Sequence, residues 1–301
     1  MKNKLLLLLF LLGVVFPLSA QESEVLISTS HTSLLLSTPQ GGELKFLYYG
    51  RKLTDADVHA VVSTESGSFS AYPVYGLNCP SESALSVQHE DGNMTLQMEV
   101  IGVETIHQEK ADLTVISLKD KVYPFYVKLC YKAYQDVDVI EAWTEISHKE
   151  KKNVKLNQFA SAYLPVRKGN VWLSSLYGAW ANEARLVQEP LEPGMKVIKN
   201  KDGVRNSHTA HAEVMFSLDG QPRENSGRVI GAALCYGGNY KLRIDTDESE
   251  FHHFYAGINE DNSVYHLKSG EVFKTPELVL TYSDEGLSGG SRNFHRWARA
   301  Y

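Results

Sequence analysis

Apolar and polar residues alternate with a period of two over most of the chain beyond residue 20, the pattern of strands with one buried face. In FYVKLCYKAYQDVDVIEAWTEIS (125–147), Val127, Leu129 and Tyr131 alternate with Lys128, Cys130 and Lys132. Beyond Asp136, Ile140, Ala142, Thr144 and Ile146 alternate with Glu141, Trp143 and Glu145, which makes the segment a hairpin with its turn near Gln135 and Asp136. HTSLLLST, GELKFLYYG, NMTLQMEVIGVE, LTVISLKD, VKLNQFASAYLPV, NVWLSSLYG, HAEVMFSL, RVIGAALCY, YKLRIDT, FHHFYAGI and PELVLTYS read as further strands. PQGG, EDGN, KDG, LDGQ and GGN punctuate them as hairpin turns. So many short strands with almost no helical periodicity predict an all-β chain of packed antiparallel sheets. No fixed repeat or low-complexity linker interrupts it, so Gln21 to about Ser283 reads as one β domain.

Both ends depart from this pattern. Near the C-terminus Phe294, Trp297, Ala298 and Tyr301 fall at three-and-four spacing behind Ser291, which predicts an amphipathic helix capped by that serine. The Gly/Ser-rich DEGLSGGS before it reads as a boundary. Its aromatic stripe needs a partner, and left exposed it would be an apolar patch inviting self-association. At the N-terminus Lys2 and Lys4, an apolar run from Leu5 to Val15 and a small-residue Leu18-Ser19-Ala20 site read as a secretory leader over residues 1–20. The apolar run falls short of the ~20 residues that span a bilayer, so no membrane span is expected, and free export to a secreted or periplasmic location follows.

The whole chain carries a formal charge of −6, and losing a leader with two lysines and no acid makes the remainder more acidic, which disfavours nucleic acid as a partner. Cys79, Cys130 and Cys235 are odd in number and lack a framework spacing, so three buried thiols are expected in preference to a disulfide.

Candidate chemistry is sparse. His208 and His211 in SHTAH are three apart, but no third ligand follows and the context is loop and strand, so a polar loop outweighs a metal site. His252 and His253 are adjacent in a strand and point to opposite faces. No nucleophile elbow, phosphate loop or dinucleotide fingerprint occurs, and no cofactor is implied. Acids such as Glu141, Glu183 and Asp245 are plentiful, yet spacing alone cannot set two of them across a sugar ring. Trp143, Trp172 and Trp180 could form flat platforms for sugar rings, with core packing as the ordinary fate of each. Trp180 differs, because YGAWANE is a glycine-flanked loop after a strand.

AYPVYG (71–76), YGAWANE (177–183), GVRNSH (203–208), YGGN (236–239), AGIN (256–259) and GEVFKTPELVLTYSDEGLSGGSRNFH (270–295) resemble, in order and spacing, the N-terminal domain of glycoside hydrolase family 36, the α-galactosidases. The resemblance implies an antiparallel β-supersandwich of galactose mutarotase-like type over residues 21–285, with 286–301 as linker and start of a helix. In the family a (β/α)8 barrel with two catalytic aspartates follows, then a small β domain, and terminal α-linked galactose is released with retention. It implies that this chain holds no catalytic residue, and that Trp180, Asn78 and Tyr75 are candidates for touching sugar. Its implied partners are galactose-containing oligosaccharides through the full enzyme, with homo-oligomer assembly or docking to a catalytic barrel. LNCPSES (77–83) replaces the family's Asp-x-Arg run, Asn182 stands where Arg is common and Gly237 where Ser is common, so no ionic sugar contact carries over. A free-standing galactoside-binding module and an aldose mutarotase-like enzyme using His208 are the alternatives.

Overall fold

The computed structural model describes residues 23–38, 42–64, 69–76, 82–205 and 207–301. The expected leader, Asn78 and Cys79 lie outside them. Strands β1 (Ser23–Ser28), β2 (Thr32–Thr38) and β3 (Lys45–Arg51) form a meander, followed by helix α1 (Asp55–Ser63) and the two-residue β4 (Phe69–Ser70). After β5 (Leu85–Gln88) the chain runs up and down through β6 (Met98–His107), β7 (Ala111–Asp120), β8 (Phe125–Tyr134) and β9 (Val139–His148), then along β10 (Val154–Lys168). The hairpin of β11 (Trp172–Tyr177) and β12 (Arg185–Pro190) leads to β13 (Gly194–Lys199), β14 (Ala210–Ser217), β15 (Val229–Leu234), β16 (Tyr240–Thr246) and β17 (Phe251–Ile258). The short β18 (Tyr265–Leu267) and β19 (Val272–Lys274), then β20 (Leu278–Ser283) and helix α2 (Gly286–Ala300), complete the order.

These strands build an antiparallel supersandwich. A ten-stranded sheet runs β12-β11-β14-β15-β20-β9-β8-β7-β6, with β19 also on β9. A six-stranded sheet runs β13-β16-β17-β10-β18, with β5 also on β10, and a four-stranded sheet runs β1-β2-β3-β4. One apolar core draws on all three, for example Leu36 from the small sheet, Leu129, Ile140 and Phe216 from the large one, and Leu242 and Phe254 from the six-stranded one. The expected hairpin forms, with β8 and β9 in register from Phe125 opposite His148 to Tyr134 opposite Val139. Ile140, Ala142, Thr144 and Ile146 are buried, and Glu141, Trp143 and Glu145 face outward and are half-buried. Thr144 is satisfied inside the core, its Oγ1 donating to the Ser161 carbonyl at 3.0 Å and its N–H to Thr275 Oγ1 at 2.9 Å.

Tryptophan does not fill this core. Trp143 donates from Nε1 to Glu145 at 3.2 Å with the Lys274 ammonium 4.8 Å above its ring, and Trp172 donates to Asn170 at 3.1 Å. Nor are the cysteines uniformly buried. Cys130 is buried between β7 and β9, whereas Cys235 is a free, exposed thiol beyond β15.

Helix α2 corrects two expectations. It begins at Gly286, five residues before Ser291, because its first-turn N–H groups are capped from outside the helix. Gly286 donates to Gly227 O, Leu287 to Arg223 O and Ser288 to Glu224 O, so no serine cap is needed. Its aromatic face is not a free patch either. Phe294 and Trp297 are half-buried against Ala111, Tyr134, Val137, Val139 and Val279 on the outer face of the large sheet. Tyr301 lies over Tyr134 with centroids 4.4 Å apart and donates to Asp136 at 2.8 Å. The buried Asn293 amide donates to Thr281 Oγ1 at 2.9 Å; that hydroxyl donates to Asp138 O at 2.8 Å, and Asp138 accepts from Thr29 Oγ1 and the His31 N–H, each at 2.7 Å. This chain of bonds ties the last helix to the first hairpin.

Helix α1 is an element the alternation did not announce. Thr54 caps it through a reciprocal box, accepting from Asp57 N–H at 3.3 Å while its own N–H donates to Asp57 at 2.9 Å. Only Val58 of this helix is buried, so it has almost no apolar stripe.

The seat of α2 requires Gly231 on β15, where a Cβ would lie 2.8 Å from Phe294 Cε2 and 3.0 Å from Thr281 Cγ2. Gly231→Ala is expected to overpack this contact and cost about 1–3 kcal/mol by urea denaturation, with Phe294→Leu in the same chain recovering part of the loss. Equal stability of Gly231→Ala and the parent would remove the contact from the account.

Candidate functional site

The β11–β12 hairpin carries the most exposed aromatic residue among those described. Tyr177 ends β11, paired with Ala210 of β14, and the loop 178–184 follows. Gly178 opens it where no side chain fits, since a Cβ would lie 2.5 Å from Glu183 Cα and 2.7 Å from the Asn182 carbonyl oxygen. Ala179 and Asn182 exchange backbone hydrogen bonds of 3.2 and 2.9 Å, and Ala181 N–H donates to Glu183 Oε1 at 3.0 Å. Ala181 and Ala184 are left-handed, with φ of 58° and 57°. That geometry costs each roughly 1 kcal/mol, so the tight loop holds strain that its hydrogen bonds maintain. The result is Trp180 projecting from the tip, 83% exposed.

A second group of loops meets this one. Gly178 N–H donates to Thr209 O at 3.1 Å, joining YGAWANE to the segment between β13 and β14 that contains GVRNSH. Three asparagines lock that segment to its neighbours. The buried Asn200 donates to Gly203 O at 2.9 Å and Gly238 O at 3.2 Å, and accepts from Asp202 N–H at 3.0 Å. Asn239 accepts from Gly203 N–H at 2.7 Å, and Asn259 donates to Asn200 O at 3.1 Å. Lys199 and Asp261 pair at 2.6 Å, and Lys241 pairs with Glu260 alongside. Val204, 88% exposed, stands on this rigid base. YGAWANE, GVRNSH, YGGN and AGIN, scattered through the sequence, therefore form one connected rim at one end of the sandwich. Asn200 was not singled out from sequence; the signal available was its place directly before the turn run KDG, which reads only as punctuation.

The other expected site residues fare differently. Tyr75 is 50% exposed, its main chain held by Leu85 O at 2.8 Å and Leu96 N–H at 3.0 Å. Asn78 lies outside the described residues. His208 is half-buried with no side-chain partner among the described residues, and His211 lies 3.5 Å from Glu213. No group of three His, Cys, Asp or Glu side chains among the described residues could hold a metal ion. His252 and His253 do face opposite sides of β17. His252 sits between Thr246 Oγ1 at 2.9 Å and Gly169 O at 2.8 Å, its pKa lowered by burial, while His253 meets Tyr163 Oη at 2.8 Å. Asp245 is buried beside Arg243 at 3.3 Å, and burial raises its pKa against the pull of that guanidinium.

Residues 42–268 match the family described as Glycosyl hydrolase family 36 N-terminal domain. The chain belongs to this family. It is 32% identical over 191 residues to the alpha-galactosidase Mel36A of Lactobacillus acidophilus, covering 64% of this chain and 26% of the relative. It is 26% identical over 306 residues to the bifunctional alpha-galactosidase/sucrose kinase AgaSK of Mediterraneibacter gnavus, covering 91% of this chain and 32% of that one. Among solved structures it superposes on the alpha-galactosidase AgaA of Geobacillus stearothermophilus in complex with raffinose with a TM-score of 0.86 at 23% identity, over 92% of this chain and 43% of that chain. The chain spans about a quarter to a third of the length of these curated relatives, and under half of the solved one.

Strain in the Trp180 loop is testable. Ala181→Gly and Ala184→Gly should each leave the fold intact and raise stability by up to about 1 kcal/mol in urea, because glycine occupies the left-handed region without penalty. A clear loss of stability in both would mean the loop is not strained as described.

Proposed function

We propose that this family 36 N-terminal domain is the accessory module of an exported α-galactosidase that removes terminal α-linked galactose with retention. Residues 1–20 act as leader and 21–285 as the module, and α2 leads toward a separate catalytic barrel. Retaining hydrolysis uses one carboxylate as nucleophile and a second as acid then base, roughly 5–5.5 Å apart, at the strand ends of such a barrel. The module's part is to supply a rigid rim. The observation that carries this reading is Trp180, held out of an asparagine-braced end of the sandwich by a loop that accepts backbone strain to expose it. An exposed indole offers a flat apolar face to the C–H side of a galactose ring. Tyr75 and Asn78 are the further contacts proposed. Docking to the barrel and assembly with other copies would bring that rim to a sugar-binding site. The mutarotase alternative finds no support at His208, since it lacks a described acid partner for proton transfer.

Two measurements on the purified chain test this. Turnover of an aryl α-galactoside is expected to be absent, and activity persisting through rigorous purification would refute the assignment of catalysis to a separate module. Tryptophan emission titrated with melibiose and raffinose is expected to shift weakly and to lose that shift in Trp180→Ala. An unchanged response in the mutant would remove Trp180 from the rim, whereas tight saturable binding by the chain alone would favour a free-standing galactoside-binding module.

A further inference from the structure

Segments 43–44, 70–74, 96–98 and 118–121 enclose a cavity of about 170 Å³ where the end of the four-stranded sheet meets β6 and β7. It shares no residue with the Trp180 rim. Main-chain bonds fix its walls. Ala71 N–H donates to Leu44 O at 2.9 Å, Leu96 N–H to Tyr75 O at 3.0 Å and Lys121 N–H to Gln97 O at 3.0 Å, while Gln97 N–H donates to Asp120 at 2.6 Å. The cavity is therefore set by the fold and is formed before a ligand arrives.

Its floor is apolar and its mouth is polar. Tyr72 and Met98 on the floor are buried, and Tyr72 Oη is already spent on Ala160 O at 2.7 Å. At the mouth Glu43 and Lys121 are exposed, and Ser70 and Gln97 are half-buried. Lysines and carboxylates elsewhere on the turns pair off, as Lys199 does with Asp261 and Lys274 with Glu277, each at 2.6 Å. Here, among the described residues, no hydrogen bond or ion pair holds the Glu43 carboxylate, the Gln97 amide or the Lys121 ammonium. The Ser70 hydroxyl accepts from Tyr72 N–H at 3.4 Å, which leaves its own proton to give.

We propose that this cavity binds one neutral monosaccharide. Its 170 Å³ is several times the ~30 Å³ share of one water and below the about 300–1,000 Å³ of pockets for drug-sized ligands, so a single sugar ring is the size that fits. The chemistry of the mouth selects a polyol. The Glu43 carboxylate can only accept, Lys121 can only donate, Gln97 does both and Ser70 has a proton free, which matches hydroxyls that donate and accept in turn around a ring. One carboxylate and one ammonium at the same mouth disfavour a ligand of net charge of either sign. The C–H face of the ring would lie on the Tyr72 and Met98 floor. Galactose is the first probe on the α-galactosidase reading above, and the cavity itself does not depend on that reading.

Methyl-labelled methionine in the whole chain gives a site-resolved test. The Met98 methyl resonance, assigned through Met98→Leu, is expected to shift saturably with millimolar galactose or glucose, the weak affinity a ligand of so few atoms allows, while Met195 and Met215 elsewhere in the fold stay still. Glu43→Ala with Gln97→Ala should weaken this response about tenfold, and Ser70→Phe at the mouth should abolish it, both without altering the melting temperature. A shift with either sugar that the variants remove upholds the site. No Met98 shift with either sugar overturns it, as does a shift that both variants leave intact. A shift produced by zwitterionic glycine and by neither sugar also overturns it, since the mouth would then be reading paired charges. Trp180→Ala should leave the Met98 response unchanged, and Glu43→Ala with Gln97→Ala should leave the sugar-dependent tryptophan emission unchanged, so failure here and failure of the rim reading are told apart.

Discussion

Most of the described strands are registered against one apolar core, and the period of two makes that registration unforgiving. A strand shifted by a single residue turns its whole buried set outward. On β9 this would exchange Ile140, Ala142 and Ile146 for Glu141, Trp143 and Glu145, moving two carboxylates and an indole into a space built for aliphatic side chains. Burying each of those isoleucines is worth roughly 1.5–3 kcal/mol, and stranding a carboxylate costs more, so the alternative registers are closed. With the inner faces committed in this way, recognition is left to the outer faces, the edges and the loops.

The rim shows how such a scaffold fixes a loop. Asn200, Asn239 and Asn259 use side-chain amides to satisfy main-chain groups that leave the sheets at one end, so three connections behave as one body. Against that body the 178–184 loop can hold two alanines in the left-handed region. Strain of this size persists only where the surroundings over-determine the conformation, and here the two backbone hydrogen bonds between Ala179 and Asn182 and the contact at Gly178 do so. The outward Trp180 is therefore a consequence of the packing beneath it.

The legibility of this fold in its sequence follows the strength of the local signal. Strands that alternate sharply, such as 125–134 and 139–148, were readable to within a residue or two because one face is buried and the other is not. Edge strands were not, since RLVQEP and GMKVIK bury little and alternate weakly. Helix α1 hid for a related reason, with a capping box but a single buried residue. The start of α2 was misplaced because its N–H groups are capped by carbonyls of residues 223–227, a tertiary device with no serine or aspartate to mark it. Trp180 was legible through its glycine-flanked loop. The asparagine lattice was not, because each amide meets a partner tens of residues away.

The carboxylates complete the argument about chemistry. A general acid or nucleophile needs an unspent carboxyl group facing a cleft. Among the described residues four acids are buried; three are hydrogen-bonded within the fold and the fourth, Asp245, is held by an ion pair alone. Asp120 accepts from the N–H groups of Gln97, Val122 and Tyr123, at 2.6, 2.9 and 2.7 Å. Asp138 holds Thr29 and His31. Glu150 bonds His89 Nδ1 at 2.8 Å and the Glu90 N–H at 3.1 Å, and Asp245 lies against Arg243. Withdrawing any of the first three from these partners would leave buried donors unsatisfied, at about 1–3 kcal/mol each, so the energy that positions them is the energy that holds strands and turns together. The carboxylates buried in this module are thus set against main-chain donors and a guanidinium, and through them strands and turns are bound to one another.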